Sequence, residues 1–244
     1  MYFVDHLAYC SPLRKMNPNQ KLIFSIANMV MVLLATGYIL PVAVILLMTL
    51  ITITKGKISV KNFGKILLLP ALFLIMGIIP VMVGLEMEAG LKIYLTWEGF
   101  YQGIFLAVRA LAAIICLYFF ILTTPMVDTL QLLKKYRCPA LIRELMFLIY
   151  RFIMILTEIT MKIFLAQRCR GGYNTIRNSR QSLSHLVSSL FLGLYQRSEE
   201  SQRGLVARGY NGEIDLLPLE YDPSPKVWLF IITTQAALLF LLMI

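Results

Sequence analysis

The 244-residue chain is 59% hydrophobic with a mean hydropathy of +0.75, and charged residues make up only 15% of it, against roughly 25% in soluble domains. That composition excludes water as the solvent for most of the chain, because the apolar runs exceed what one core could bury and a bilayer must take the surplus. The net charge of +10 does not point to nucleic acid: the 23 Lys and Arg flank the apolar runs, without the aromatic-interleaved basic pattern of a nucleic-acid surface.

In chain order, no charged residue appears from Leu22 to Thr54. At 1.5 Å per residue this run is too long for one helix across roughly 30 Å of hydrocarbon, so two spans are expected, about 22–36 and 39–54, with the connection near Gly37 and Pro41. A third uncharged run, Ile66 to Leu85, carries Pro70 and Pro80, which neighbouring helices can accommodate. A fourth span over about 100–124 contains one charge, Arg109, and the chain ends on an uncharged run from Val227 to Ile244. No cleavable signal peptide is expected, since the first apolar run follows a polar stretch and lacks a small-residue cleavage site.

Arg14, Lys15 and Lys21 precede the first span, and Lys55, Lys57, Lys61 and Lys65 lie between the second and third, so both stretches belong on the cytoplasmic side. The loop carrying Glu86, Glu88 and Glu98 against Lys92 is then external. The expected fold is an all-α integral membrane protein of the cell membrane with about five transmembrane helices. It divides into an N-terminal membrane domain (1–124), a cytoplasmic region (125–225) and a C-terminal transmembrane helix (226–244).

The cytoplasmic region holds 13 of the 23 basic residues and is where a partner would bind. From Ala140 to Gln167, Leu141, Leu145, Leu148, Phe152, Ile155, Ile159 and Ile163 recur at helical spacing, while Glu144, Arg151 and Glu158 recur every seven residues on a narrow stripe. A helix with so broad an apolar face lies on a membrane or packs under the spans. A second helix is expected over about 181–208, with Leu183, Leu186, Leu190 and Leu194 on one face. Ser184, Ser188, Ser189 and Gly193 are small enough for a close helix crossing, so Gly193 is expected to face the first helix.

Both helices finish alike, on Cys169-Arg170-Gly171 and on Ala207-Arg208-Gly209. Glycine at C′ takes the left-handed conformation that stops a helix, and the preceding Arg can project past the end with a fixed fork of donors. One such Arg is accounted for by the helix macrodipole; two on consecutive amphipathic helices suggest docking to a partner's carboxylates.

These helix ends stand beside Asp5, Ala8-Tyr9, Ser11-Pro12-Leu13-Arg14, Asn17-Pro18 and Lys21-Leu22 near the N-terminus, and Thr124-Pro125, Leu133, Pro139, Tyr150-Arg151, Glu158, Met161 and Ala166 in the middle. Together, over nearly the whole chain, they resemble the T components of energy-coupling factor transporters, and within them the CbiQ-like subunits of cobalt and nickel importers. In that family an Ala-Arg-Gly signature ends each of two coupling helices, and each Arg pairs with an acidic residue in a groove of an ABC-type ATPase subunit. Ala207, Arg208 and Gly209 match it fully; Arg170 and Gly171 match, with Cys169 in place of Ala. The resemblance implies three partners: cytoplasmic ATPase subunits, a separate metal-binding membrane substrate subunit and the lipid bilayer.

No phosphate-binding GxxxxGK[ST] occurs, so no ATP hydrolysis by this chain is expected, and neither a cofactor nor a resident metal. The spans contain no Asp, Glu or His, which weighs against the alternative of a self-contained secondary transporter or ion channel. Arg109 reads as an internal packing partner or subunit contact, and Arg151, Glu158 and Gly193 as structural or subunit contacts. His6 and Cys10, four apart, read as an ordinary exposed terminus rather than a soft-metal pair. The expected orientation is tested by cysteine labelling of whole cells from outside. A cysteine at Glu86 should react and one at Lys57 should not; the reverse pattern inverts the topology.

Overall fold

The computed structural model of the chain describes residues 2–86, 92–95, 97–210, 221 and 225–243. Two compact units emerge, one of Met1–Thr129 with Leu219–Ile244 and one of Leu130–Pro218.

In the first unit, α1 (Tyr2–Cys10) and a 3-10 turn (Pro12–Lys15) lead into α2 (Pro18–Leu34), α3 (Ile39–Thr54), α4 (Val60–Met82) and α5 (Trp97–Thr123); α9 (Pro225–Met243) returns to the same unit. The helix α2 starts four residues before the uncharged run because Asn17 caps it. The Asn17 side chain accepts from the Asn19 N–H at 3.0 Å, and Pro18 at the first helical position gives up a donor that had no partner anyway. Residues 35–38 join α2 to α3. Between α4 and α5 the structure adds a short antiparallel ribbon, β1 (Val83–Glu86) with β2 (Lys92–Leu95), in a register that sets Val83 opposite Leu95 and Glu86 opposite Lys92. The helical run therefore stops at Met82, two residues past Pro80, and the last residues of the expected third span are extended.

The helix α5 is the centre of this unit, packing against α1, α2, α3 and α4, while α9 lies on α2 and α3. Its buried face, Ala112, Ile115, Cys116, Phe119 and Leu122, meets Phe24 and Val32 of α2, Val44 and Met48 of α3, and Ile231 and Leu238 of α9. Small Ala112 and Cys116 let α2 approach closely enough for the buried Ser25 hydroxyl to donate to the Cys116 carbonyl, and Phe24 packs edge-on to Phe119 at 5.8 Å. Among the described residues two helical stretches, Val60–Val81 and Gly99–Thr123, are long and apolar enough to cross a membrane; α2, α3 and α9 are shorter apolar helices. Phe63 at the start of the first stretch is buried in the core and the helix packs on α5, but Leu68, Leu69, Phe73, Ile75 and Met76 face outward. A helix with so wide an uncovered apolar surface needs a nonaqueous surrounding.

The polar floor of the unit is a buried knot. Lys21 is fully buried, and its Nζ donates to the Thr123 carbonyl at 2.8 Å and to the Leu13 carbonyl at 3.1 Å. Thr123 is the last residue of α5, so one amine satisfies a carbonyl at the end of α5 that has no intrahelical partner, and one of the 3-10 turn besides. Asp128, in the first turn of α6 (Met126–Lys135), is equally buried. Arg14 Nε lies 3.9 Å from its carboxylate, and the Tyr221 hydroxyl, pushed above the ordinary phenol range by burial and by the Asp128 carboxylate, sits beside it. Replacing one member of a buried ionic cluster strands the others at a cost of about 3–5 kcal/mol. Lys21→Met should therefore lower the thermal unfolding midpoint of the detergent-solubilised protein sharply, and adding Asp128→Asn should recover part of the loss; equal midpoints for parent and Lys21→Met would dismiss the knot as a stabilising element.

Candidate functional site

The second unit contains the two amphipathic helices, α7 (Ala140–Cys169) and α8 (Ile176–Ala207), as an antiparallel hairpin. Their pairing is fixed at both ends. At the elbow the Gln167 amide donates to the Ser182 carbonyl at 2.9 Å and accepts from the Tyr173 hydroxyl at 2.8 Å, while Ser182 Oγ donates to the Gly172 carbonyl at 2.8 Å and Tyr173 stacks on Phe164 at 4.9 Å. Thr175 begins α8 by accepting from the Asn178 N–H at 3.2 Å. At the open end the Tyr210 hydroxyl donates to Glu144 Oε2 at 2.7 Å, which raises the Tyr210 hydroxyl above its ordinary range.

The two Arg-Gly ends are built alike. Arg170 caps α7 at φ −88° and ψ 12°, and Arg208 caps α8 at φ −94° and ψ 10°. Gly171 and Gly209 follow at φ +73° and +77°, the left-handed region that favours glycine. The Gly171 N–H then reaches the Arg168 carbonyl and Gly172 N–H the Gln167 carbonyl; Gly209 and Tyr210 make the same two bonds to Val206 and Leu205. This is the Schellman arrangement in both copies, and it satisfies the last helical carbonyls. Arg170 and Arg208 are exposed, and among the described residues neither guanidinium group carries a hydrogen bond or ion pair. Ala207 and Cys169, the last helical residues, are exposed too, so Cys169 does not take the buried position usual for cysteine.

The heptad stripe of α7 runs along the seam with α8. Glu144 is buried against Tyr210; Arg151 lines a cavity with Arg197, Glu200 and Arg208; and Glu158 lines the next one with Gly193 and Gln196. Glu158 also accepts from Lys162 at 2.6 Å, which holds its carboxyl below the usual carboxylate range. Of the apolar residues at helical spacing, Leu141, Leu145 and Leu183 are exposed.

Gly193 shares a cavity with Ile155, Glu158 and Ile159 of α7 and so faces the first helix, but the crossing there is not close: a Cβ built at Gly193 meets nothing within 4 Å, and Ser184, Ser188 and Ser189 are exposed. The close approach falls at the elbow instead, where a Cβ on Gly172 would lie 2.5 Å from Ser182 Oγ and 2.9 Å from the Gln167 carbonyl. The tyrosines that hold the two turns, Tyr173 and Tyr210, were missed by periodicity, although each follows its arginine within three residues. In the first unit, Arg109 is half-buried on α5 with Nε lacking a partner among the described residues, and His6 approaches Cys10 Sγ at 3.8 Å on an exposed face. No three His, Cys, Asp or Glu of the described residues form a metal-ligand group.

The left-handed caps and the open Gly193 site predict opposite responses to the same substitution. Gly171→Ala and Gly209→Ala should each destabilise the protein by about 1–2 kcal/mol, whereas Gly193→Ala should be neutral or stabilise by up to about 1 kcal/mol. Thermal unfolding of the three variants checks the ordering, and an equal loss at all three would contradict the cap geometry.

The same chain, compared with known proteins, matches the CbiQ cobalt transport protein family over residues 10–217. A putative fused cobalt transport protein CbiMQ of Methanocorpusculum labreanum is 28% identical over 94% of this chain but only 41% of its own length. The cobalt transport protein CbiQ of Rhodobacter capsulatus is 30% identical over 77% of this chain and 76% of its own. The energy-coupling factor transporter transmembrane protein EcfT of Thermosediminibacter oceani is 27% identical over 83% and 81%. With most of its length inside the match, including both Arg-Gly helix ends, the chain belongs to the CbiQ family of cobalt transport membrane components.

Proposed function

We propose that this chain is the transmembrane coupling subunit of an ATP-driven cobalt or nickel importer, which passes the conformational cycle of cytoplasmic ABC-type ATPases to a separate metal-binding membrane subunit. The observation that carries the reading is the duplicated, unpaired arginine: two identical Schellman caps, each presenting an exposed guanidinium, at opposite ends of one helical hairpin. A 30-residue helix is about 45 Å long, so the two arginines are separated too widely to serve one compact site. Two docking points that far apart suit two ATPase subunits, each offering a carboxylate to a planar guanidinium fork.

Five helices cover the uncharged runs, and in this reading all five cross the cytoplasmic membrane, the shorter ones with flanking residues reaching the interface. The fused relative supports a membrane partner, since its counterpart of this chain is joined to a further component within one polypeptide. The similarity to proteins named as energy-coupling factor transmembrane components supports ATPase partners and a non-catalytic role. A secondary transporter or channel is disfavoured by the absence of Asp, Glu and His from the uncharged runs.

Truncating one partner of a partly buried guanidinium–carboxylate pair costs about 2–5 kcal/mol. Arg170→Ala and Arg208→Ala should each weaken co-elution with the ATPases by at least tenfold, and the double variant should abolish metal uptake while the chain remains folded and membrane-inserted. Wild-type assembly, ATP hydrolysis and uptake by the double variant would reduce both arginines to ordinary helix caps.

A further inference from the structure

We infer that the Arg208 end of the hairpin is a two-guanidinium clamp, in which Arg151 of α7 shares with Arg208 the carboxylate of a partner protein. The inference rests on the docking role proposed above and adds a residue to it. A cavity of about 220 Å³ lies between α7 and α8 at this end, lined by Arg151, Arg197, Glu200, Gly204 and Arg208. Three guanidinium groups thus share a small space with one carboxylate. Arg197 NH1 is already paired with Glu200 at 3.4 Å, whereas the guanidinium groups of Arg151 and Arg208 have no hydrogen bond or ion pair among the described residues. Two like charges lining one cavity repel each other, and an anion entering between them is attracted by both.

The size of the cavity selects the kind of anion. Small-molecule sites occupy roughly 300–1,000 Å³ and bury most of their ligand, so this space is too small for a nucleotide and suited to one acidic side chain. A carboxylate has two oxygens and can accept from two guanidinium groups at once. Gly204 lines the cavity without a side chain, in the interior of α8, where glycine costs roughly 0.5–1 kcal/mol relative to alanine and where a Cβ meets nothing within 4 Å. The clamp also joins both helices: a carboxylate held by Arg151 and Arg208 ties the start of the α7 seam to the end of α8, where Tyr210 and Glu144 already meet. A partner docked there grips the hairpin as a unit rather than the tip of one helix.

The test uses the full chain in detergent with its ATPase partner, measuring the Kd of association for the parent, Arg151→Gln, Arg208→Ala and the double variant, at low and at moderate salt. The clamp predicts that Arg151→Gln weakens binding about tenfold and shallows the salt dependence, that Arg151→Lys restores part of the affinity, and that Arg151→Gln has much less effect once Arg208 is gone. The thermal midpoint of Arg151→Gln should match the parent, since its side chain is exposed. Gly204→Met, which adds bulk to the cavity lining while leaving every charged residue in place, should weaken binding comparably. If Arg208→Ala weakens association while Arg151→Gln and Gly204→Met do not, the clamp is wrong and the docking role of Arg208 stands. If Arg208→Ala has no effect either, both fall. Retention of anionic lipid that drops in Arg151→Gln while the ATPase Kd is unchanged would reassign the cavity to a lipid phosphate and overturn the clamp.

Discussion

The interaction on which the membrane unit depends is the buried amine of Lys21. An ammonium taken out of water is expensive unless its donors are satisfied and a counter-charge is near, and here two backbone carbonyls and the field of Asp128 supply both. Those groups come from distant parts of the chain. Leu13 belongs to the N-terminal turn, Thr123 to the end of the central helix, Asp128 to the helix that follows, and Tyr221 to the segment before α9, whose carbonyl also accepts from Asn17 at 3.5 Å. The knot therefore fixes the point at which the chain leaves α5 relative to the start of α2. The apolar packing of Phe24, Phe119, Val44 and Met48 could slide by a helical turn at modest cost, but the directional bonds of Lys21 allow one register.

The hairpin follows a different logic. Its charged groups lie outside as well as along the seam, and many of its large apolar side chains are outside too: Leu141 is 75% exposed, Phe191 69% and Leu165 61%. The arrangement is stable in context only if those faces meet lipid or another apolar protein surface, which is consistent with the hairpin as a platform under membrane subunits. The seam holds the two helices by specific bonds at its ends, with cavities between that are lined by apolar side chains such as Phe152, Ile155 and Leu205 as well as by charged ones. Helices joined in this way can shift against each other in the middle while their ends stay paired, a property suited to transmitting displacement.

Much of this was legible in the residues. The charge-free runs mark the apolar helices because a helix in hydrocarbon must be apolar along its length, and Arg-Gly marks both caps because only glycine enters the left-handed region without strain. The knot was not legible: Lys21 looks like any basic residue flanking a span, and nothing local announces that its amine reaches a carbonyl 102 residues away. The direction of the Glu144, Arg151 and Glu158 stripe was ambiguous for a related reason. Periodicity shows that three residues share a face but not which neighbour that face meets: Glu144 is buried, while Arg151 and Glu158 line the seam and remain exposed. Gly193 misled because a small residue permits a close crossing without requiring one. The ribbon after α4 lies in an apolar stretch of Val, Leu and Ile that helix and strand accept equally, so composition could not divide it.

The two ends of the hairpin carry the same cap but are not interchangeable. One is a covalent elbow, where the chain passes from Gly171 to Thr175 and turns back; the other is an open end, where the Tyr210 hydroxyl bonds Glu144. A pair of identical ATPase chains related by a twofold axis offers two identical acidic grooves. A single hairpin docked across them as proposed has no such axis, so one groove would receive the elbow and the other the open end. The membrane chain would thereby break the symmetry of its own motor: two nucleotide sites of identical sequence would meet different resistance on closing, and the order in which they fire would be set from outside the ATPase.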